Sequence, residues 1–193
     1  MKNITFEFNN TAQPSRGKLL VSEPFMSSAY FKRSVVLLTE HNEEGTVGFI
    51  INKPTEYKLN KVIKDFPKFD GILYMGGPVN TDQLFYLHTL GKKIKGSLQV
   101  KKGLYWGGDF DMVKELIVAK AISENDIRFF FGYAGWDTKQ LDSELKEKSW
   151  MVAENKTEFI MNTDTGKMWN DVIRSLGDEY SGMINYPEDP ALN

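Results

Sequence analysis

Residues 33–54, RSVVLLTEHNEEGTVGFIINKP, constrain this chain more than any other stretch. Two apolar runs, 35–38 and 47–51, flank a polar connection that contains Gly45. Aliphatic and β-branched residues at that density form strands that need cover on both faces. The expected unit is an antiparallel pair, 34–39 with 46–51, joined by the four residues 42–45. Pro54 is expected to end the second strand, because it has no N–H for a ladder. Glu40, His41, Asn42 and Asn52 stand at the junction and the exit, polar groups on a rigid base. An ordinary hairpin has the same pattern, so it names candidates and not a reaction.

The remaining elements follow from periodicity and punctuation. Ile4, Phe6 and Phe8 alternate with polar residues as in a short strand, and 18–22 forms the next. Leu59, Val62, Ile63 and Phe66 define one face of a helix over 59–66. Strands are expected at 71–75, 84–89, 98–100, 104–106, 127–132 and 150–153. The run 127–132 is so apolar that helices near 109–121 and 137–148 are expected to cover both its faces. Asp109 or Asp111 should cap the first of these. Asp137 and Gln140 resemble the two ends of a capping box for the second. A last helix, 168–176, stops at Gly177. Strands and helices mix without βαβ alternation, which predicts α+β. The expected organisation is an N-terminal segment 1–16, one domain over 17–177 and a polar tail 178–193.

Composition excludes several classes. The chain has 193 residues, room for one or at most two domains. It carries a net charge of −2, against the basic balance of most nucleic-acid binders. Lys92, Lys93, Lys95, Lys101 and Lys102 cluster around short strands, so nucleic-acid binding is expected to be weak at most. There are no cysteines, which removes disulfides, thiolate nucleophiles and cysteine zinc sites. No apolar run approaches the ~18 residues of a membrane span, and no signal-peptide pattern opens the chain. The expected location is the cytoplasm.

Catalytic signatures are sparse. His41 and His88 are the only histidines, and a catalytic zinc wants three protein ligands. Glu40 or Asp109 would have to complete the set, and no HExxH spacing is present. Neither a metal nor a cofactor is expected. No serine sits in a GxSxG elbow. Gly76-Gly77-Pro78 and Gly107-Gly108-Asp109 match no nucleotide-binding motif. Gly132-Tyr133-Ala134-Gly135-Trp136 follows a buried strand, and its small residues admit a close neighbour.

Taken in order, these pieces resemble the bacterial YqgE/AlgH family of uncharacterised proteins. The resemblance covers about residues 17–177. It rests on Gly17-Lys18-Leu19-Leu20, on 31–36, on Glu40-His41-Asn42 with Gly45, Gly48 and Asn52-Lys53-Pro54, and on Gly76-Gly77-Pro78-Val79. Leu87-His88, the 132–136 motif, Gln140-Leu141, Glu144 and Trp150 complete it. It implies an α+β fold with a branched, mixed sheet curled into a partial barrel with flanking helices. It implies no reaction, and for some members a role in transcriptional regulation. The chain departs from the family at Thr39, where cysteine is frequent, at Ser28-Ala29 and at Gln83-Leu84. The resulting expectation is a non-enzymatic regulatory or interaction protein with a protein partner. The alternative is a small-molecule binder or enzyme. In either case the candidate surface is Glu40, His41, Asn42, Asn52, His88, Tyr133, Trp136 and Gln140.

Overall fold

The computed structural model describes residues 10–187. Strand β9 (Ile127–Asp137) organises it. Its eleven residues, rich in aromatics, pair with three other strands. On one side β9 pairs antiparallel with β6 (Val79–His88). On the other, its first half pairs parallel with β5 (Ile72–Met75), from Leu73↔Phe129 to Met75↔Phe131. Past Gly132 that side passes to β3 (Gly45–Ile50), antiparallel from Gly48↔Ala134 to Gly45↔Asp137. The sheet therefore branches at β9.

Gly76, Gly77 and Gly132 make the handover. A Cβ on Gly76 would lie 2.3 Å from the Gly132 carbonyl oxygen, and one on Gly132, whose φ is +66°, 2.5 Å from that of Gly77. Only glycine lets two backbones approach this closely. The neighbour that the small residues of 132–136 admit is thus the turn before β6.

From β3 the sheet runs outward through β2 (Val35–Asn42), β1 (Leu19–Ser22) and β10 (Trp150–Ala153). From β6 it runs through β8 (Leu104–Trp106) to β7 (Leu98–Lys101), while β4 (Pro54–Lys58) pairs only with β5. The ten-stranded sheet is mixed and does not close. It curls until the Lys101 ammonium reaches the carbonyls of Gly17, at 3.3 Å, and of Asn155. Val100 and Leu104 thereby share one core with Leu19, Leu37 and Phe49.

Side-chain alternation along β9 sorts the core. Ile127 and Phe129 face α1 (Leu59–Val62) and α2 (Phe110–Val118), which contribute Leu59, Val113 and Ile117. Phe130 faces the curled strands together with α4 (Thr157–Asn162) and α5 (Thr165–Leu176). Ala134 and Trp136 face α3 (Gln140–Lys146), through Leu141. Phe129 and Phe130 are both fully buried, each contributing about 2–3 kcal/mol. The expected cover of 127–132 holds for α2. The opposite cover comes from α4, α5 and the curled strands, whereas α3 covers only the end of β9.

Other expectations shift in detail. Asn42 pairs with Gly45, so the hairpin loop is only Glu43-Glu44. β3 ends at Ile50, and Pro54 opens the edge strand β4 where a missing N–H costs nothing. The helix expected over 59–66 is one turn, and Val62 is 41% exposed. Asp109 caps α2 by accepting from the N–H groups of Asp111 and Met112. Helix α3 starts at Gln140 rather than beside Asp137, yet Gln140 Oε1 still accepts the Asp137 N–H at 3.0 Å. Residues 178–185 are not a free tail: they form a 3-10 segment that buries Tyr180 and Met183. The strand expected around Ile4–Phe8 lies outside the described residues. Among the described residues no helix is long and apolar enough to cross a membrane.

Candidate functional site

The end of the sheet where β2, β3 and β9 run side by side holds a groove of about 490 Å³. Five of the eight candidate residues line it: Glu40, Asn42, Tyr133, Trp136 and Gln140. Glu44, Asp137, Val47, Val79 and Gly135 contribute further wall. One local irregularity builds this arrangement. β2 and β3 pair Leu38↔Gly48 and then Glu40↔Val47, leaving Thr39 without an opposite residue. Such a bulge reverses the facing of everything beyond it. Leu38 points to the face closed by α3, in the cluster of Trp136 and Trp150. Glu40, two residues on, points instead into the groove.

The groove is acidic. No lysine, arginine or histidine lines it. The carboxylates of Glu40, Glu44 and Asp137 make no ion pair or side-chain hydrogen bond with any described residue. Among the described residues no group of three or more histidines, aspartates or glutamates, these included, is close enough to hold a metal ion. Negative charge spread along a groove suits an extended cationic partner better than a point ion.

His41 belongs to the other face. Its Nδ1 lies 2.7 Å from Thr46 Oγ1, and it lines an adjoining hollow of about 390 Å³ with Lys139, Leu141 and Asp142, which shares Asn42, Thr46 and Asp137 with the groove. It stays close to the hairpin end but outside the acidic groove. The Trp136 indole is also turned inward: it is 5% exposed and its Nε1–H donates to Glu144 Oε2 at 2.8 Å. Trp150 Nε1–H donates to the same oxygen at 2.7 Å, while Glu144 Oε1 accepts from Gln140 Nε2 at 2.9 Å. Gln140 and Glu144 therefore latch α3 to the sheet.

Two candidates are structural. Asn52 is buried; its Oδ1 accepts the Val35 N–H and its Nδ2 donates to the Arg33 carbonyl, both at 2.9 Å. It supplies backbone bonds where β3 has already ended. His88 is fully buried and stacked on Tyr105. Its Nε2 lies 3.2 Å from the Gly107 carbonyl, and its Nδ1 accepts the Leu90 N–H at 3.3 Å, a neutral tautomer with both nitrogens used. Burial pushes its pKa below the ordinary histidine value, against the Gly107 bond. Tyr86 beside it is pushed up to about 12 by burial and by Asp109.

The glycine turns offer no anion site, since Asp109 occupies the N-terminus of α2 and Gly77 abuts the backbone of Tyr133. Of the five clustered lysines, Lys101 is a brace whose ammonium burial pushes down in pKa, opposed by Glu154 and Glu158. Sequence reasoning missed the latch role of Glu144 and passed over Arg128. The signal for the second was present: a single cation interrupts the run IRFFFG.

Comparison with known proteins completes the picture. A family profile described as AlgH-like matches residues 19–181. A UPF0301 protein of Bacteroides thetaiotaomicron is 47% identical over 186 residues, covering 96% of this chain and 94% of its own. A UPF0301 protein of Chlorobaculum tepidum is 44% identical over 177 residues, covering 92% and 95%. The solution structure of the AlgH protein from Pseudomonas aeruginosa superposes with a TM-score of 0.72 at 27% identity, covering 92% of this chain and 98% of that one. A crystal structure of a Corynebacterium diphtheriae protein superposes with a TM-score of 0.76 at 24% identity, covering 91% and 94%, and bears on the fold alone.

Proposed function

This chain belongs to the AlgH-like family, and we propose that it is a non-catalytic, cytoplasmic interaction protein that docks a basic segment of a protein partner in the groove at the β2–β3–β9 end. The observation that carries this reading is the set of three carboxylates, Glu40, Glu44 and Asp137, lining the groove with no cationic side chain among them. Glu44 and Asp137 are exposed and Glu40 is half-buried, so water solvates these carboxylates, whereas Glu144 is held by the indole N–H groups of Trp136 and Trp150. The three stand on a rigid three-stranded platform. Tyr133 adds an aromatic face that suits a lysine or arginine side chain. No histidine, serine, cysteine or lysine lines the groove.

The regulatory role implied by the family resemblance is read here as acting through that partner. An acidic groove repels phosphate, and the exposed Lys92, Lys93, Lys95 and Lys102 lie on other elements. A small cationic molecule is the alternative occupant of the same groove.

Fluorescence anisotropy with a labelled Lys/Arg-rich peptide tests the proposal, with an acidic peptide and a short DNA duplex as controls. The basic peptide alone is expected to bind, more weakly as salt rises. Glu40→Lys combined with Asp137→Lys should weaken it at least about tenfold. Equal binding after charge reversal, or preference for the duplex, would overturn the reading.

A further inference from the structure

The opposite, N-terminal end of β9 holds a second cavity, of about 940 Å³. One wall is the side chain of Arg128, only 7% exposed. Its Nη1 donates to the Ile51 carbonyl at 3.0 Å and its Nη2 to the Met161 carbonyl at 2.9 Å. The guanidinium carbon lies 4.6 Å from the centre of the Tyr74 ring. These contacts orient the group but bring no negative charge, and Arg128 forms no ion pair with any described residue. Burial accordingly pushes its pKa down, opposed by Tyr74. A buried cation without an anion is costly, and a guanidinium has five N–H donors, of which two are accounted for here. Such a group is a ready donor to a bidentate carboxylate.

The remainder of the cavity narrows the ligand class. Asn162, Thr163 and Thr165 line it with side chains that hydrogen-bond to no other described residue. Exposed Asp70, Glu124 and Asp164 add negative charge. Asp70 lies 3.9 Å from Lys58, and Asp164 lies 4.0 Å from Lys167 and caps α5 through the Gly166 N–H, so among the described residues Glu124 is the carboxylate of the three without a partner. One lining cation among three carboxylates disfavours a polyphosphate or a nucleotide. It suits a molecule with one acidic group and one cationic group. The volume falls within the range of small-molecule sites, roughly 300–1,000 Å³.

We propose that this cavity binds a small zwitterion of the α-amino-acid class, its carboxylate on Arg128 and its ammonium toward the acidic side of the cavity. The inference is independent of the acidic groove. Arg128 at once braces β9 to the ends of β3 and α4 and recognises the ligand, so occupancy tightens the junction of three elements.

Calorimetry and melting temperature on the full chain test the proposal. The probes are the free proteinogenic amino acids, the amine of each that lacks the carboxylate, ATP and inorganic phosphate. At least one amino acid is expected to bind and raise the melting temperature, with its decarboxylated amine weaker by about tenfold or more. Arg128→Lys should weaken binding comparably. Ile72→Trp, at an exposed lining position, should narrow the cavity and weaken binding without lowering the melting temperature, which decides the matter if Arg128→Lys fails to fold. Glu40→Gln with Asp137→Asn should leave the affinity unchanged. No binding by any amino acid, equal binding of the amine, indifference to Ile72→Trp, or preference for ATP or phosphate would overturn the proposal.

Discussion

The two faces of the sheet where β2, β3 and β9 meet carry similar residues to opposite ends. On the face covered by α3, polar groups are satisfied: one carboxylate, Glu144, takes both indole N–H groups of Trp136 and Trp150, and His41 meets Thr46. On the open face, the carboxylates of Glu40, Glu44 and Asp137 have no partner among the described residues. Glu144 and Glu40 are chemically the same side chain. One holds a helix on a sheet because burial makes its hydrogen bonds valuable; the other remains solvated and available. A carboxylate's role here follows from what covers it.

That contrast can be broken in several ways. Glu144→Leu should have the largest effect, since it leaves two inward-facing indole N–H groups unpaired. A loss of about 3 kcal/mol is expected in urea denaturation, with most of it recovered in Glu144→Gln, whose amide oxygen still accepts. A loss under about 1 kcal/mol would mean that α3 is held by apolar contacts alone.

His88, at the end of β6, extends the closed-face logic to the other arm of the sheet. Its folded pKa is lowered, so the unfolded chain binds the proton more readily. Stability should be complete above the unfolded value of about 6.5 and fall as pH drops below it, by at most about 1.4 kcal/mol per pH unit. An NMR titration placing the His88 pKa at or above about 6.5 would contradict this.

His41→Ala should cost about 1 kcal/mol through its hydrogen bond with Thr46, and it should leave peptide binding untouched because His41 lies on the covered side. A binding defect at normal stability would place His41 in the functional surface after all. The smallest stability change belongs to Glu40→Gln with Asp137→Asn, within about 0.5 kcal/mol, although peptide binding should be lost. Destabilisation there would show that the groove carboxylates have structural partners.

Much of the fold was legible. The runs 35–38 and 127–131, and 47–51 up to Ile50, are strands, and the helix capped by Asp109 and the one stopped by Gly177 lie where their signals place them. Elements without a strong period were missed. β4 is a polar edge strand, exposed except at half-buried Thr55, and α4 is a short helix that buries Ile160 and Met161 and packs Phe159 against the core. Both exist because neighbours supply what their own sequences lack. Of the candidate residues, Glu40, Asn42, Tyr133, Trp136 and Gln140 do gather at one groove, yet the Trp136 indole and Gln140 serve the latch to α3. Asn52 and His88 looked reactive and are internal hydrogen-bonding groups.

The sequence by itself determined the elements with strong local signals, the mixed α+β class and the absence of thiol chemistry, because hydrophobic period, caps and composition are properties of neighbouring residues. Tertiary structure alone decided which way Glu40 and His41 face, since one unpaired residue, Thr39, inverts the alternation. It also decided that β9 has three partners and that Arg128, a lone cation in an apolar strand, sits in the wall of a cavity. Facing, pairing and burial depend on residues distant in the chain, and no local pattern carries them.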